Sequence, residues 1–462
     1  MSASPVPPVL PRPLTLWAIV FAAYAAVLVS LTWARPFWLD ELLQLLITRD
    51  PNSASRWTMM HQTPGAVPLG YEVQRLIIQW LGYSVFAARL PAEVFSVLAL
   101  GGVLLAAREI GTRGRGFAAL VWAMVPLLLR YAVEARPYSQ SLFLSAAATA
   151  LLFRIGREPK ARWVALYALC ITAGLYTQPY SLFLQAGLAA PLLFRQRDPG
   201  ARRAFWLGSA CLAGGVLLFA PWVLSSARGW TEYAHSMEET LVLPGKLPLL
   251  LVREISGGSY VCSLSLLAFA AAGCASRRLG GLAKRQLLAG AAACVLLALA
   301  CDTVFGYFFA IRQVISALVP LCLLAGEGWA EAGDRWGRYP RLALLVPLVA
   351  ASLVKDVRQF RDRSEDWQLA ARQLERASAS GCVLYLHADL PGLYEFFAPE
   401  LRARACEPVH SAANVFVPVT RYSIAEEVRR TDGSLAALGY RPGGSYRESE
   451  LLEIRRYVRS GS

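Results

Sequence analysis

Long apolar stretches alternate with short segments rich in arginine along most of this chain. Runs of this kind predict membrane-crossing helices, because a helix needs about 18–20 apolar residues to span the hydrocarbon layer. Several runs are shorter, and we expect these to borrow flanking residues or to end inside the protein. The pattern predicts about eleven transmembrane helices, at residues 14–33, 90–107, 116–129, 138–153, 163–176, 179–194, 204–226, 260–275, 287–300, 305–324 and 342–354.

The segment between the first and second runs is too long to be a simple connector. Within it, residues 41–48 and 71–81 place apolar side chains at helical spacing among polar ones. Amphipathic helices of this type lie in the interface between lipid and water. The sequence therefore predicts interfacial helices in the first outer loop.

Basic residues are concentrated in every second loop, for example at 108–115, 154–162 and 277–285. Lys and Arg close to helix ends are retained on the cytoplasmic side of a membrane. The amino terminus is therefore predicted to be cytoplasmic. With an odd number of spans, the tail after Lys355 is predicted to lie outside. We expect a multi-pass protein of the cell (inner or plasma) membrane, surrounded by membrane lipids.

The composition excludes a soluble protein. Hydrophobic residues make up 56% of the chain, charged residues only 17%, and the mean hydropathy is +0.41, whereas soluble domains are about 25% charged. The net charge of +14 does not indicate a nucleic-acid partner. Residues 356–462 carry 15 Arg and 15 acidic residues, so the excess of 31 basic over 17 acidic residues lies in 1–355, between the apolar runs.

The tail has the pattern of a small soluble α/β module. Ser364 can cap a helix through 367–374, and the following elements are a strand, a helical stretch, a second helix and a final strand, at 382–387, 393–397, 424–430 and 451–458. The predicted fold is thus an all-α polytopic membrane protein with a small outer C-terminal module. Its predicted parts are a cytoplasmic tail at 1–13, a transmembrane catalytic domain at 14–355 and the module at 356–462.

None of the nine cysteines has the spacing of a metal site. Most lie within or beside apolar runs, where cysteine is usually a small packing residue. Cys382 and Cys406 both fall in the outer tail, where a disulfide is chemically permitted. Their pairing is left open by the sequence.

The first candidate for chemistry is the acidic pair Asp40-Glu41, shortly after the first run. A carboxylate where lipid headgroups meet water can serve as a general base, with its neighbour as a helper. Alternatively, Asp40 caps an interfacial helix and Glu41 lies in its first turn. The motif alone does not separate these interpretations.

The second candidate is the segment Glu134-Ala-Arg136-Pro137-Tyr138, between the third and fourth runs. The planar fork of arginine matches phosphate oxygens, so an ion pair and an aromatic ring here can hold a phosphate-bearing ligand. The alternative is a helix start, with Pro137 in the first turn and Tyr138 in the aromatic belt.

The third candidate is Arg312, a single cation close to the start of the tenth run. Charges inside spans are costly and usually face a cavity or a partner, whereas snorkelling to the interface is the alternative. Arg75, Arg89 and His61 are weaker candidates, since each is of a type that is often solvated or structural at an interface.

The order and membrane placement of Asp40-Glu41, the EARPYS segment and Arg312 followed by Pro320 resemble the GT-C membrane glycosyltransferases. Within that superfamily, the sequence is similar to the bacterial protein O-mannosyltransferase and lipid A aminoarabinose transferase group, which uses polyprenyl-phosphate sugars. The resemblance covers residues 14–354, and the DWQLAARQLE stretch at 366–375 is also similar to the segment after the last span in that group.

This resemblance implies that Asp40 is the catalytic base, with Glu41 beside it. Pro-Leu-Gly-Tyr71 resembles the group's His-Pro-Pro-Leu-Tyr-Tyr segment, although Ala66 and Val67 stand where a His is common. Gln178 occupies a place often held by His or Lys, at a position that tends to touch headgroup or sugar. No cofactor is assigned, and a divalent cation is left open.

The resemblance implies transfer of a sugar from a polyprenyl-phosphate donor to an acceptor hydroxyl on a lipid, glycan or protein. Asp40 would deprotonate the acceptor, and Arg136 and Arg312, with Arg75, would stabilise the departing phosphate. A transporter or flippase of lipid-linked sugars is the alternative, but it predicts paired broken helices in two halves, which the sequence lacks. A non-catalytic scaffold has no use for an acidic pair at this position.

Overall fold

A computed structural model describes residues 13–63, 65–236, 247–305, 310–386, 391–406, 412–447 and 450–460. The chain divides into two compact units. The helical unit comprises Met1–Trp33 and Pro51–Gln359, and the mixed unit comprises Ala34–Asp50 and Phe360–Ser462. The mixed unit therefore combines the tail with a short segment that directly follows the first predicted span.

Sixteen helices precede the tail among the described residues, and the second of them belongs to the mixed unit. They are α1 Pro13–Ala34, α2 Leu39–Arg49, α3 Ser53–Gln62, α4 Pro68–Leu81, α5 Val85–Ile110, α6 Arg115–Met124, α7 Pro126–Ala132, α8 Tyr138–Arg157, α9 Ala161–Leu175, α10 Ser181–Ala189, α11 Pro199–Ser236, α12 Leu247–Glu254, α13 Tyr260–Ala275, α14 Gly281–Phe305, α15 Leu318–Trp336 and α16 Arg338–Arg361.

Every predicted apolar run except the tenth coincides with one helix or with two consecutive helical segments. By length and composition, five helices of the described chain can each cross a membrane: α1, α5, α11, α14 and α15. The bent pair α6–α7 would make a sixth, and α9 and α13 are shorter apolar helices. The prediction of a polytopic, largely helical membrane protein is confirmed. Among the described residues, the helices that meet this length and composition criterion are fewer than the predicted apolar runs.

In the tenth run, the residues described from Ala310 onward do not form a regular helix at once. Arg312 lies in a short 3₁₀ turn, Ile311–Gln313, and α15 starts only at Leu318. The Gln313 side chain accepts a hydrogen bond from the backbone N–H of Ala310 at 3.0 Å, a local bond that competes with a regular helix. Arg312 therefore precedes the helix instead of lying inside it.

The third run is broken at Val125, which is extended (ψ 120°) and is followed by Pro126. Proline has no N–H and disfavours a helical residue before it, so α6 and α7 meet at 66°. The backbone N–H of Leu127 at the start of α7 donates to the carbonyl of Ser256, at 3.2 Å. A single straight span over 116–129 is therefore replaced by a bend.

Glycines allow α13 and α15, and α15 and the start of α6, to pack backbone against backbone. A β-carbon at Gly114, Gly273 or Gly328 would overlap a carbonyl group of the facing segment. Beside this seam, the carboxylate of Glu327, which is 1% exposed, lies 2.9 Å from the guanidinium of Arg113. We call this arrangement the glycine seam, and it joins three helices at the end that carries basic loops.

The mixed unit contains the remaining elements and a four-stranded sheet of order β1-β2-β4-β3. Strand β1 pairs with β2 in parallel, and the other pairs are antiparallel. The sheet core includes Val415, Val417, Leu435, Tyr440 and Tyr457. The elements are α17 Trp367–Ala377, β1 Cys382–Val383, α18 Pro391–Glu395, β2 Asn414–Thr420, α19 Ala425–Ala437, β3 Tyr440–Tyr446 and β4 Leu452–Arg459.

Several local predictions for the tail differ from the structure. The cap of α17 is Asp366, whose side chain accepts from the N–H of Leu369 at 2.9 Å, and Ser364 lies outside the helix. Strand β1 ends at Val383, and His387, at the end of the predicted strand, lies outside the described residues. Cys382 and Cys406 form a disulfide with Cα atoms 5.4 Å apart.

The predicted membrane orientation can be tested with reporter fusions. We expect a reporter fused after Ser462 to lie outside the cytoplasm. A reporter inserted at Gly280 should lie inside it, because the loop around 277–285 is rich in basic residues. Alkaline phosphatase fusions, which are active outside the cytoplasm, and green fluorescent protein fusions, which fluoresce inside it, provide the measurement at both sites. A cytoplasmic carboxy terminus would contradict the odd span count.

Candidate functional site

Asp40 and Glu41 lie in the first turn of α2, in the mixed unit. The helix is capped at Trp38, whose backbone N–H donates to the Glu41 carboxylate at 3.3 Å. Glu41 is fully buried, whereas Asp40 is half-buried. The alternative in which Asp40 caps the helix is therefore wrong, because the cap contact is made by Glu41. Asp40 sits one position earlier, where a carboxylate is favoured by the helix dipole.

The segment from Arg130 to Tyr138 forms a compact group of aromatic and charged side chains in the helical unit. Glu134, with 0% exposure, accepts from the guanidinium of Arg130 at 2.9 Å. The rings of Tyr131 and Tyr138 have centroids 4.5 Å apart, and the Arg136 guanidinium lies 5.8 Å from the Tyr138 centroid. A helix also starts here, as the alternative predicted, but Pro137 is the cap residue before α8 and does not lie in its first turn, because the helix begins at Tyr138.

Helix α4 packs against this segment. Arg136 Nη1 donates to the Tyr71 hydroxyl at 3.4 Å. A β-carbon at Gly70 would overlap the ring of Pro137, so a glycine is needed for this close approach. The Gln74 amide donates to the carbonyl of Ala135 at 3.3 Å. Tyr71, Arg136 and Tyr138 are therefore neighbours, in a cluster held by side-chain hydrogen bonds and by the close approach of Gly70 to Pro137.

Arg312 lies in the 3₁₀ turn Ile311–Gln313, and a second 3₁₀ turn, Ile315–Ala317, follows it. In this second turn the hydroxyl of Ser316 lies 3.2 Å from the hydroxyl of Ser145 in α8, the helix that begins at Tyr138. We refer to the candidates Arg136, Tyr71, Tyr138 and Arg312 as the phosphate-site residues, because guanidinium groups and hydroxyls are donors that can bind an anionic headgroup.

Arg75 is held by an acidic neighbour. Its Nε donates to Glu72 at 2.5 Å, and the buried Arg56 approaches the same carboxylate at 3.6 Å. Arg89 is a structural residue inside the helical unit. It is fully buried and donates to the carbonyl of Thr32 at 2.9 Å.

His61 joins α3 to α11. Its Nδ1 lies 2.7 Å from the hydroxyl of Ser226, and its ring stacks on Trp222 with centroids 4.1 Å apart. Trp57 contacts the same indole edge-on. Sequence inspection could not reveal this pairing, because its members are more than 160 positions apart.

Gln178 is half-buried in the turn between α9 and α10. This turn lies beside the start of α4, because the N–H of Leu69 donates to the carbonyl of Tyr176 at 3.0 Å. Gln178 is thus brought near the Tyr71 segment by backbone contact.

The described residues contain no group of three or more His, Cys, Asp or Glu side chains that could hold a metal ion. A cation site is therefore not assigned to this part of the chain. Glu365, which sequence reasoning did not single out, contacts the start of α2. It follows the last predicted span as one of several alternating charges, with no local signal to mark it.

No family model and no curated protein matches the sequence. Two crystal structures of ArnT from Cupriavidus metallidurans, one bound to undecaprenyl phosphate and one in the apo state, match 96% of this chain and 98% of theirs. Each has a TM-score of 0.60 and 16% identity.

An Archaeoglobus fulgidus oligosaccharyltransferase, crystallised with Zn and sulfate, matches 82% of this chain and 61% of its own. Its TM-score is 0.53 and its identity 13%. At these identities, the similarity establishes a shared fold.

Proposed function

We propose that this chain, which has the fold of the GT-C membrane glycosyltransferases, transfers a sugar from a polyprenyl-phosphate donor to an acceptor hydroxyl. The observation that carries the proposal is the match of nearly the whole chain to ArnT, which was crystallised with undecaprenyl phosphate. The cluster of Arg136, Tyr71 and Tyr138 adds chemistry suited to such a phosphate.

A sugar on polyprenyl phosphate already carries an activated leaving group. The enzyme must remove a proton from the acceptor hydroxyl and stabilise negative charge on the departing phosphate. We assign the first role to Asp40. We assign the second to Arg136 and Arg312, with the hydroxyls of Tyr71 and Tyr138 as further donors.

The acceptor is a hydroxyl of a lipid, glycan or protein that reaches the outer face of the membrane. The predicted outward direction of the 34–88 segment supports this, because that segment carries Asp40 and Tyr71. No general acid is required on the donor side, since the phosphate leaves as a stable anion.

A flippase for the same lipid-linked sugar is disfavoured by the glycine seam. Alternating access requires one part of the bundle to rock against another. The seam opposes such a movement between α6, α13 and α15, and Arg113 pairs there with Glu327 at 2.9 Å and Glu331 at 3.1 Å. Separating these helices would leave the buried Glu327 without its cation, which is costly.

The direct test is to incubate purified protein with a panel of polyprenyl-phosphate sugars and candidate acceptors. Release of free polyprenyl phosphate, together with glycosylated acceptor, is the expected result. The same panel in sealed vesicles distinguishes the flippase. Movement of intact donor across the bilayer without release of polyprenyl phosphate would reject the transferase.

A further inference from the structure

The amino-terminal end of α2 is bound by a residue from the tail. Oε1 of Glu365 accepts a hydrogen bond from the backbone N–H of Leu39, at 3.2 Å. Leu39 is the first residue of α2 and directly precedes Asp40. The first N–H groups of a helix have no partner within the helix, so a carboxylate placed there fixes them and suits the helix dipole.

Glu365 is itself held on its other sides. The Tyr422 hydroxyl donates to Oε1 at 2.5 Å, and the guanidinium of Arg421 lies 2.9 Å from Oε2. Arg421 also donates to the Tyr422 hydroxyl at 2.8 Å. Burial, and then the bond to Glu365, raise the pKa of Tyr422 to about 12, so this hydroxyl remains a donor at neutral pH. The Glu365 side chain is only 15% exposed.

The opposite end of α2 has a separate attachment. Arg49 in the last turn pairs with Glu395 of α18 at 3.3 Å. Just before the helix, the ring of Phe37 packs on Phe396 and Phe397, with centroids 5.5 and 5.9 Å away. Helix α2 is therefore fastened at two polar points, and of these two the Glu365 contact is the one beside Asp40.

We infer that Glu365 is a positioning residue, which fixes the first turn of α2 and thereby the direction of the Asp40 carboxylate. The inference rests on the proposed role of Asp40 as the base. It gives the carboxy-terminal module a part in the reaction, because Glu365, Arg421 and Tyr422 all belong to it.

A positioning contact affects the rate of transfer and not the binding of donor. A displacement of about 1 Å at a reacting group can cost on the order of 10²-fold in rate. The donor phosphate is assigned to residues of the helical unit, so its affinity has no direct link to Glu365. The expected signature is a fall in kcat with little change in the KM for donor.

The experiment compares three variants of the full-length protein. Glu365→Ala should lower kcat by about 10- to 100-fold with donor KM within about twofold. Glu365→Gln keeps an oxygen that accepts from Leu39, so it should recover most of the rate. Glu395→Ala is the matched control. It removes a carboxylate of similar exposure that holds the same helix about 15 Å further along. This variant should retain most of the activity.

Hydrogen exchange supplies a readout that does not depend on catalysis. In Glu365→Ala, exchange should rise at residues 39–42, and in Glu395→Ala it should rise near 47–50 instead. Unchanged kcat and unchanged exchange in Glu365→Ala would overturn the inference. Equal losses in Glu365→Ala and Glu395→Ala would also overturn it, since the module would then serve only as a general support.

A failure of the proposed function would give a different pattern of variant activities. If Asp40→Asn keeps full turnover, Asp40 is not the base. The positioning role of Glu365 is then also rejected, regardless of the activity of Glu365→Ala. If Asp40→Asn is inactive and Glu365→Ala is fully active, the base stands and only the positioning role is lost.

Discussion

Asp40→Asn should lower sugar transfer by about 10²- to 10⁴-fold, the usual contribution of a general base. The substitution keeps the shape of the side chain and removes its ability to take a proton. Initial rates of product formation at saturating donor and acceptor give the measurement. Donor affinity, expression and thermal stability should be nearly unchanged.

The position of Asp40 in α2 makes this test specific. The cap contact of the helix is made by Glu41 through the N–H of Trp38, so replacing Asp40 leaves that contact in place. Through the helix dipole, the loss of one negative charge in the first turn costs about 0.3–1 kcal/mol. A large loss of activity in a variant that keeps the thermal stability and donor affinity of the unchanged protein would therefore report on proton transfer.

Glu41→Gln is the natural comparison for this experiment. Glutamine also accepts a hydrogen bond from Trp38, although the buried side chain loses its charge. We expect Glu41→Gln to be less harmful than Asp40→Asn. Full turnover by Asp40→Asn would contradict the proposed mechanism. This would hold even if the protein were shown to be a glycosyltransferase.

The membrane fold was predictable because its cause is local. An apolar run in lipid must satisfy its own backbone hydrogen bonds, and a helix does this within one segment. The same rule cannot predict where a run breaks. The bend at Val125 depends on Pro126. Before α15, two short 3₁₀ turns occupy Ile311–Gln313 and Ile315–Ala317.

The small sheet was less accessible to sequence reasoning. Strand β2 contains Pro418, and β3 contains the turn-like sequence Pro442-Gly443-Gly444, both of which are unusual in strands. These strands are specified by their pairing with β4, which is a tertiary effect. The inclusion of residues 34–50 in the mixed unit likewise depends on contacts between distant parts of the chain.

The candidate site residues also divide into those that a local sequence pattern reveals and those that depend on contacts between distant parts of the chain. Arg136 and Tyr138 could be singled out because the charge, proline and ring are adjacent in sequence. The contact of Arg136 with Tyr71 spans 65 positions. Tyr71 itself entered the prediction only through resemblance to a family, and its contact with Arg136 was not predicted. Neither adjacency in sequence nor resemblance to a family identified Glu365 or the partner of His61. The contacts of both residues join positions more than 160 residues apart.

Arg136→Ala and Arg312→Ala should each weaken binding of the polyprenyl-phosphate donor by about 10- to 150-fold. A charge-assisted hydrogen bond to a desolvated phosphate is worth about 1.5–3 kcal/mol, which corresponds to this range of Kd. Titration of each purified variant with donor, at matched thermal stability, gives the measurement. If these arginines only snorkel to the interface, their replacement should leave Kd nearly unchanged.

Arg162→Ala is a suitable control for both variants. Arg162 stacks on Trp163 with its guanidinium 4.4 Å from the ring centroid. It follows the far end of α8, a helix of 20 residues that separates it from Tyr138 by about 30 Å. Its replacement removes the same charge from the same unit without touching the phosphate-site residues, so donor affinity should be retained. An equal loss in all three variants would mean that net charge alone attracts the donor, and the assignment of Arg136 and Arg312 to the phosphate would then be wrong.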